Sequence, residues 1–126
     1  GAFGFGQVFG YDENDVAING FPLFHVGGTM TVGLAVLSAG GHVVVPGPNG
    51  YRTPGAVENF WRMVEHFRLT VIGGVPTIIS SITNNWRPGL DLSSVRLALT
   101  GGASLATNIA LVENNARVAT KIAKAL

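Results

Sequence analysis

Cysteine is absent from the 126 residues, which excludes disulfides and thiolate metal sites. Charge is scarce: Asp, Glu, Lys and Arg together make up 12%, against roughly 25% in an average soluble chain. The net charge of +1 carries no clustered basic face, so no nucleic-acid partner is expected. The three histidines, His25, His42 and His66, lack metal-ligand spacing, and no metal site is expected. Neither a Walker A sequence nor a G-x-S-x-G nucleophile elbow occurs. The first residues lack a basic flank followed by an apolar run, the pattern of a secretory signal. With the missing cysteines, this fits a cytoplasmic protein.

What is plentiful is apolar surface. Hydrophobic residues make up 47%, enough for a large core and too much for disorder. From Asn19 to Tyr51 no side chain is formally charged, a stretch longer than the roughly 20 residues of a spanning helix. Gly40-Gly41 splits that stretch, however, and Pro46, Gly47 and Pro48 end it. A buried helix over Thr29–Ser38 followed by a buried strand accounts for the pattern, and no transmembrane segment is expected.

Four short apolar runs read as strands: Asp15–Asn19, His42–Val45, Leu69–Ile72 and Val95–Leu99. Continuous aliphatic runs of this length suit strands buried on both faces of a parallel sheet. Helical patterns alternate with them. Over Gly55–Arg68, residues Val57, Phe60, Trp61, Val64 and Phe67 form one apolar stripe, with Thr53 as the expected N-cap and Pro54 at the first helical position. Pro76 opens a second helix through Ile82, and a third is expected from Ser104 toward Lys124. The alternation predicts an α/β fold: a mostly parallel sheet of about four strands with helices on its faces.

Ligands of such sheets bind beyond the carboxyl ends of the strands. The exits here read Gly20–Gly28, Gly73–Thr77 and Thr100–Leu105, and each carries a glycine pair. Such turns let a ligand approach the backbone, and at a strand-to-helix junction their N–H groups form an anion or nucleotide cradle. His25 stands in the first exit, where an imidazole can meet a carboxylate or phosphate. His42 and His66 read as structural and solvated residues. The glycines of Gly4–Gly10 approximate a dinucleotide-binding pattern but lack the strand that must precede one.

In order and spacing these residues resemble the adenylate-forming (AMP-binding) superfamily of acid–CoA ligases, luciferases and peptide-synthetase adenylation domains. Phe21–Gly28 is similar to its P-L-F-H-x-x-G segment, and Leu69–Thr77 to its V-T-x-x-x-x-V-P-T segment. Asp91–Arg96 and Thr100–Leu105 resemble D-L-S-S-L-R followed by S-G-G-A-P-L, with Thr100 in place of serine and Ser104 in place of proline. The resemblance implies activation of a carboxylic acid, fatty or aromatic, with Mg-ATP to an acyl-adenylate, followed by transfer to CoA. It implies that His25 lies beside the carboxylate as the catalytic residue. Phe24, Gly27, Gly28 and Thr100 would contact the acid, while Gly101, Gly102 and Ala103 would line the nucleotide site.

The phosphate loop, the Y-G-x-T-E segment and the later lysine of that family are not in the sequence. Residues 1–126 are therefore expected to form a single partial domain of a larger adenylate-forming N-terminal domain. Alone, it is expected to be inactive, to bind neither ATP, AMP, CoA nor Mg tightly, and to self-associate through exposed apolar surface. The alternative is a non-catalytic α/β module that binds a nucleotide or a protein. A genomic reading frame extending into the missing motifs would favour the ligase.

Overall fold

The computed structural model describes residues 1–101 and Lys124. Helix α1 (Ala2–Phe9) leads to strand β1 (Val16–Ile18), and a π-helix (Gly27–Leu34) runs directly into α2 (Ala35–Ser38). Then follow β2 (His42–Val44), a 3-10 turn (Gly50–Arg52), α3 (Phe60–Phe67), β3 (Val71–Gly74), α4 (Pro76–Asn84) and β4 (Leu97–Thr100). The strands form one sheet in the order β2-β1-β3-β4. Every pairing is parallel: Ala17 pairs with Val43 and with Val71, and Gly74 pairs with Thr100. The α/β reading is thus correct, and all four expected strands are present.

Burial separates the inner strands from the outer ones. Ala17, Ile18, Val71 and Ile72 are buried, whereas β2 and β4 are partly exposed along their length. The expectation of strands buried on both faces therefore holds for β1 and β3 only. Among the described residues the edge strands have a neighbour on one side alone, and their faces are not fully covered.

One core layer gathers Ile18, Tyr51, Phe60, Trp61, Val64, Leu69, Ile72, Ile82 and Leu92. It holds α3 and α4 against the sheet, and the Trp61 indole N–H donates to the Ile82 carbonyl at 2.9 Å. The opposite layer gathers Tyr11, Ala17, Ala35, Val36 and Val71, with Phe5 and Phe9 of α1 packed against it.

Three local expectations are corrected. The helix expected from Gly55 begins at Phe60, because Gly55 takes a left-handed φ of +85° and residues 54–59 form turns. Thr53 caps nothing there; its hydroxyl accepts the Asn49 N–H at 3.2 Å. The residues around Gly4 and Gly6 lie within α1, which ends on left-handed Gly10 at φ 63°, so those glycines form no cradle. Beyond Gly101, the expected helix from Ser104 lies, but for Lys124, outside the described residues.

At the amino ends of the strands a polar lock joins distant segments. Arg96 donates from Nε to Asp15 Oδ1 at 2.8 Å and from Nη2 to Oδ2, a bidentate pair. The Thr70 hydroxyl donates to Asp15 Oδ1 at 2.6 Å while accepting the Val16 N–H at 2.9 Å. Arg96 also reaches the Phe9 and Gly10 carbonyls at 3.3 and 3.1 Å. The lock therefore ties the starts of β1, β3 and β4 to the end of α1.

Candidate functional site

The carboxyl ends of the parallel strands lie along one edge of the sheet. At the exit of β1, the Asn19 N–H donates to the Val44 carbonyl at 2.8 Å, and its side-chain amide donates to the Gly28 carbonyl at 2.8 Å. Next comes Gly20, where an added Cβ would collide with the Tyr51 ring. Tyr51 lies against that bare backbone, donates its N–H to the Gly20 carbonyl at 3.0 Å and its hydroxyl to the Gly73 carbonyl. Burial pushes the Tyr51 phenol above its ordinary value and keeps it a neutral donor. Tyr51 thus clamps the exit of β1 to the end of β3.

The turn after Phe21 is braced from within. The His25 N–H donates to the Pro22 carbonyl at 3.0 Å, and the Thr29 N–H donates to the His25 carbonyl at 2.9 Å. The Thr29 hydroxyl donates to the Leu23 carbonyl. Gly27 donates its N–H to His25 Nδ1 at 3.1 Å. With Nδ1 an acceptor, the neutral ring carries its proton on Nε2, which becomes a donor for an incoming oxygen. Gly28 is required sterically, since a Cβ there would collide with the Pro22 carbonyl. Beside the imidazole, Leu23, Val26 and above all Phe24, at 94% exposure, present an apolar surface. An exposed imidazole donor flanked by exposed apolar side chains suits an acid with an anionic head and an apolar body.

The end of β3 differs from expectation. Gly73 and Gly74 do not form an exit turn; they are the buried last residues of β3, paired with Leu99 and Thr100. A Cβ on Gly73 would meet the Leu99 carbonyl at 2.5 Å and one on Gly74 the Ile78 side chain at 2.8 Å, so close packing explains both glycines. Only Val75 separates β3 from α4, whose first residue is Pro76. Thr100 ends β4 as an exposed residue, and Gly101 follows; among the described residues no atom lies within 4 Å of a Cβ added there. Gly102 and Ala103 lie outside the described residues. Phe24, His25, Gly27 and Gly28 share one turn, and Thr100 and Gly101 share the β4 exit. Among the described residues no hydrogen bond joins the two groups.

Asn19 and Tyr51 were not singled out from the sequence. Asn19 is the first polar residue after the β1 run, and Tyr51 closes the uncharged stretch. Those positions were the only signal, because each side chain acts on a carbonyl 9 or 22 residues away. Among the described residues there is no cluster of three or more His, Cys, Asp or Glu able to hold a metal ion. No helix among them is long and apolar enough to cross a membrane.

Residues 2–119 match the model of the AMP-binding enzyme family, and the chain belongs to that family. It is 31% identical over 70 residues to a marinolic acid–CoA ligase of a Pseudoalteromonas species, covering 56% of this chain and 11% of that protein. It is 39% identical over 103 residues to a methyl-dioxo-octahydroindenyl propanoyl:CoA ligase of Rhodococcus jostii, covering 81% of this chain and 18% of that protein. It is also 39% identical over 97 residues to a protein of Mesorhizobium japonicum named for another reaction, a pseudouridine-5'-phosphate glycosidase, covering 71% of this chain and 27% of that one. The chain thus spans between 11% and 27% of the length of these relatives. The fold is shared with an adenylation domain of a keto acid-selecting peptide-synthetase module, solved with a keto acyl adenylate. That match has a TM-score of 0.70 at 15% identity over 87% of this chain and 21% of that one.

Proposed function

We propose that this chain supplies the acid-binding part of a site that activates a carboxylic acid with ATP to an acyl-adenylate, for transfer to CoA. The observation that carries the reading is the braced turn at the β1 exit, with Nε2 of His25 left as a donor among exposed apolar side chains. In this reading His25 orients the carboxylate and stabilises negative charge as the acyl-adenylate forms. Phe24, Gly27, Gly28 and Thr100 bound the acid, and its body is fatty or aromatic because the surface beside His25 is apolar. Gly101, Gly102 and Ala103 face the nucleotide. A glycine turn without side chains suits the flat approach of an adenine ring. When bound, Mg-ATP supplies the electrophilic phosphorus and a pyrophosphate leaving group. In this reading the 126 residues act as one partial domain that does not adenylate alone, since the family's phosphate loop, Y-G-x-T-E segment and lysine are not in the sequence.

Pyrophosphate exchange with Mg-ATP and a panel of fatty and aromatic acids tests this in the protein encoded by the whole reading frame. His25→Ala is expected to lower kcat/KM about 10–100-fold, below the full worth of a buried oxyanion donor because the ring is exposed. Unchanged exchange in that variant would remove His25 from the site. The 126-residue chain is expected to give no acyl-adenylate by mass spectrometry, and a detectable amount would overturn its assigned inactivity.

A further inference from the structure

Among the described residues, one side-chain hydrogen bond ties the turn that carries His25 to the end of β1. The bonds that shape residues 22–29 are local: His25 to Pro22, Thr29 to His25, Thr29 to Leu23 and Gly27 to His25. Among the described residues, the hydrogen bond that ties this turn to the sheet runs from Asn19 Nδ2 to the Gly28 carbonyl at 2.8 Å. Gly27 and Gly28 open the π-helix, and with no Cβ they restrict the backbone there less than other residues would.

Asn19 is an expensive choice for this position. It is 2% exposed, and its Oδ1 has no hydrogen-bond partner among the described residues. An aliphatic side chain would fill the volume without leaving a buried acceptor unpaired. Reversing the amide offers no relief, because Oδ1 would then face the Gly28 carbonyl, acceptor against acceptor. The surroundings are shaped for the observed orientation. Gly33 lies across the π-helical turn from Gly28; a Cβ added there would collide with the Gly28 carbonyl and lie 3.6 Å from Asn19 Nδ2.

We propose that Asn19 is the positioning residue of the His25 imidazole. By holding the Gly28 carbonyl it anchors the start of the π-helix, and with it the Gly27 N–H, two peptide units back, which holds Nδ1 and so leaves the ring proton on Nε2. Asn19 touches neither substrate nor reacting atoms. The catalytic meaning of this inference rests on the acid-activating role of His25 proposed above, but the positioning itself does not.

Nitrogen NMR of the histidine rings in the 126-residue chain, at alkaline pH where imidazole is neutral, tests it without any substrate. In the unmutated chain, His25 Nδ1 is expected to show the shift of a pyridine-like nitrogen that accepts a hydrogen bond. In Asn19→Leu and Asn19→Asp the Nδ1 signal moves to the position of free histidine, while the methyl signals of Ile18 and Ile72 stay in place. An unmoved His25 ring beside a retained core overturns the proposal, even where the melting temperature falls, since a purely structural role predicts that result. If neither variant folds, the unmutated chain decides: coupling across the hydrogen bond between Asn19 Nδ2 and the Gly28 carbonyl carbon supports the proposal, and its absence overturns it. Because no adenylation is measured, failure here leaves the function of His25 standing, and the reverse also holds.

Discussion

Asp15 stands at the start of β1 with its side chain 2% exposed, and its partner Arg96 is 41% exposed. The guanidinium bonds, the Thr70 hydroxyl and the Asp12 N–H outweigh the cost of burial and lower the Asp15 carboxyl from 3.8 to about 2. A depressed carboxylate contributes stability above its unfolded value, and that contribution disappears as pH falls through the folded one. Nearly two pH units correspond to at most about 2.5 kcal/mol, and screening at the half-exposed Arg96 brings the expectation to about 1–2 kcal/mol. Asp15→Asn should therefore lower the urea midpoint near pH 7, with the gap to the unmutated chain closing between pH 3.8 and about pH 2. A constant gap across that window would show that the carboxylate charge contributes nothing. Arg96 could not be paired with Asp15 from the sequence, because 81 residues separate them and only sheet formation brings them together. His25, by contrast, stood out from its place at a strand exit and from the family resemblance. Its tautomer did not, since that depends on where the Gly27 N–H points.

At the scale of elements, glycine explains both the successes and the corrections. Gly4 sits in α1 with nothing within 4 Å of an added Cβ, whereas Gly33 sits in the π-helix against the Gly28 carbonyl. Both occupy helical segments, yet Ala should act on them in opposite directions. Gly4→Ala is expected to stabilise by about 0.5–1 kcal/mol through reduced backbone entropy, and Gly33→Ala to destabilise by about 1–3 kcal/mol through overpacking. Thermal melts of the two variants check this, and equal shifts would show that the π-helical turn tolerates a side chain. The same ambiguity shaped the sequence reading. Glycines depressed the helical pattern over Ala2–Phe9, and α1 went unassigned. At β3 the pair Gly73-Gly74 read as a turn, although in the fold it is strand backbone pressed against β4 and α4. Composition alone does not separate a glycine that permits a turn from one that permits close approach.

The whole molecule presents more apolar surface than a covered sheet would. Phe3 and Val8 of α1, Leu34 of the π-helix and Leu37 of α2 are each 48% or more exposed, as are Leu23, Phe24 and Val26 beside the site. Self-association of the 126-residue chain is the expected result, seen in sedimentation velocity as a weight-average mass that rises with concentration. Charged replacements at Leu34 and Leu37 should reduce it, and a monomer at all concentrations in the unmutated chain would refute it.

Alternating aliphatic runs and helical stripes were enough for an α/β chain with four strands. The order of the turn segments was enough for the adenylate-forming family, because both are written in local spacing. Strand order, the amino-end lock and the Tyr51 clamp were decided only by tertiary structure, since each depends on groups far apart in sequence. The Asn19 tie was decided there too, although it spans only 9 residues. It requires the chain to leave β1 and return through a π-helical turn, a path that residue spacing does not reveal.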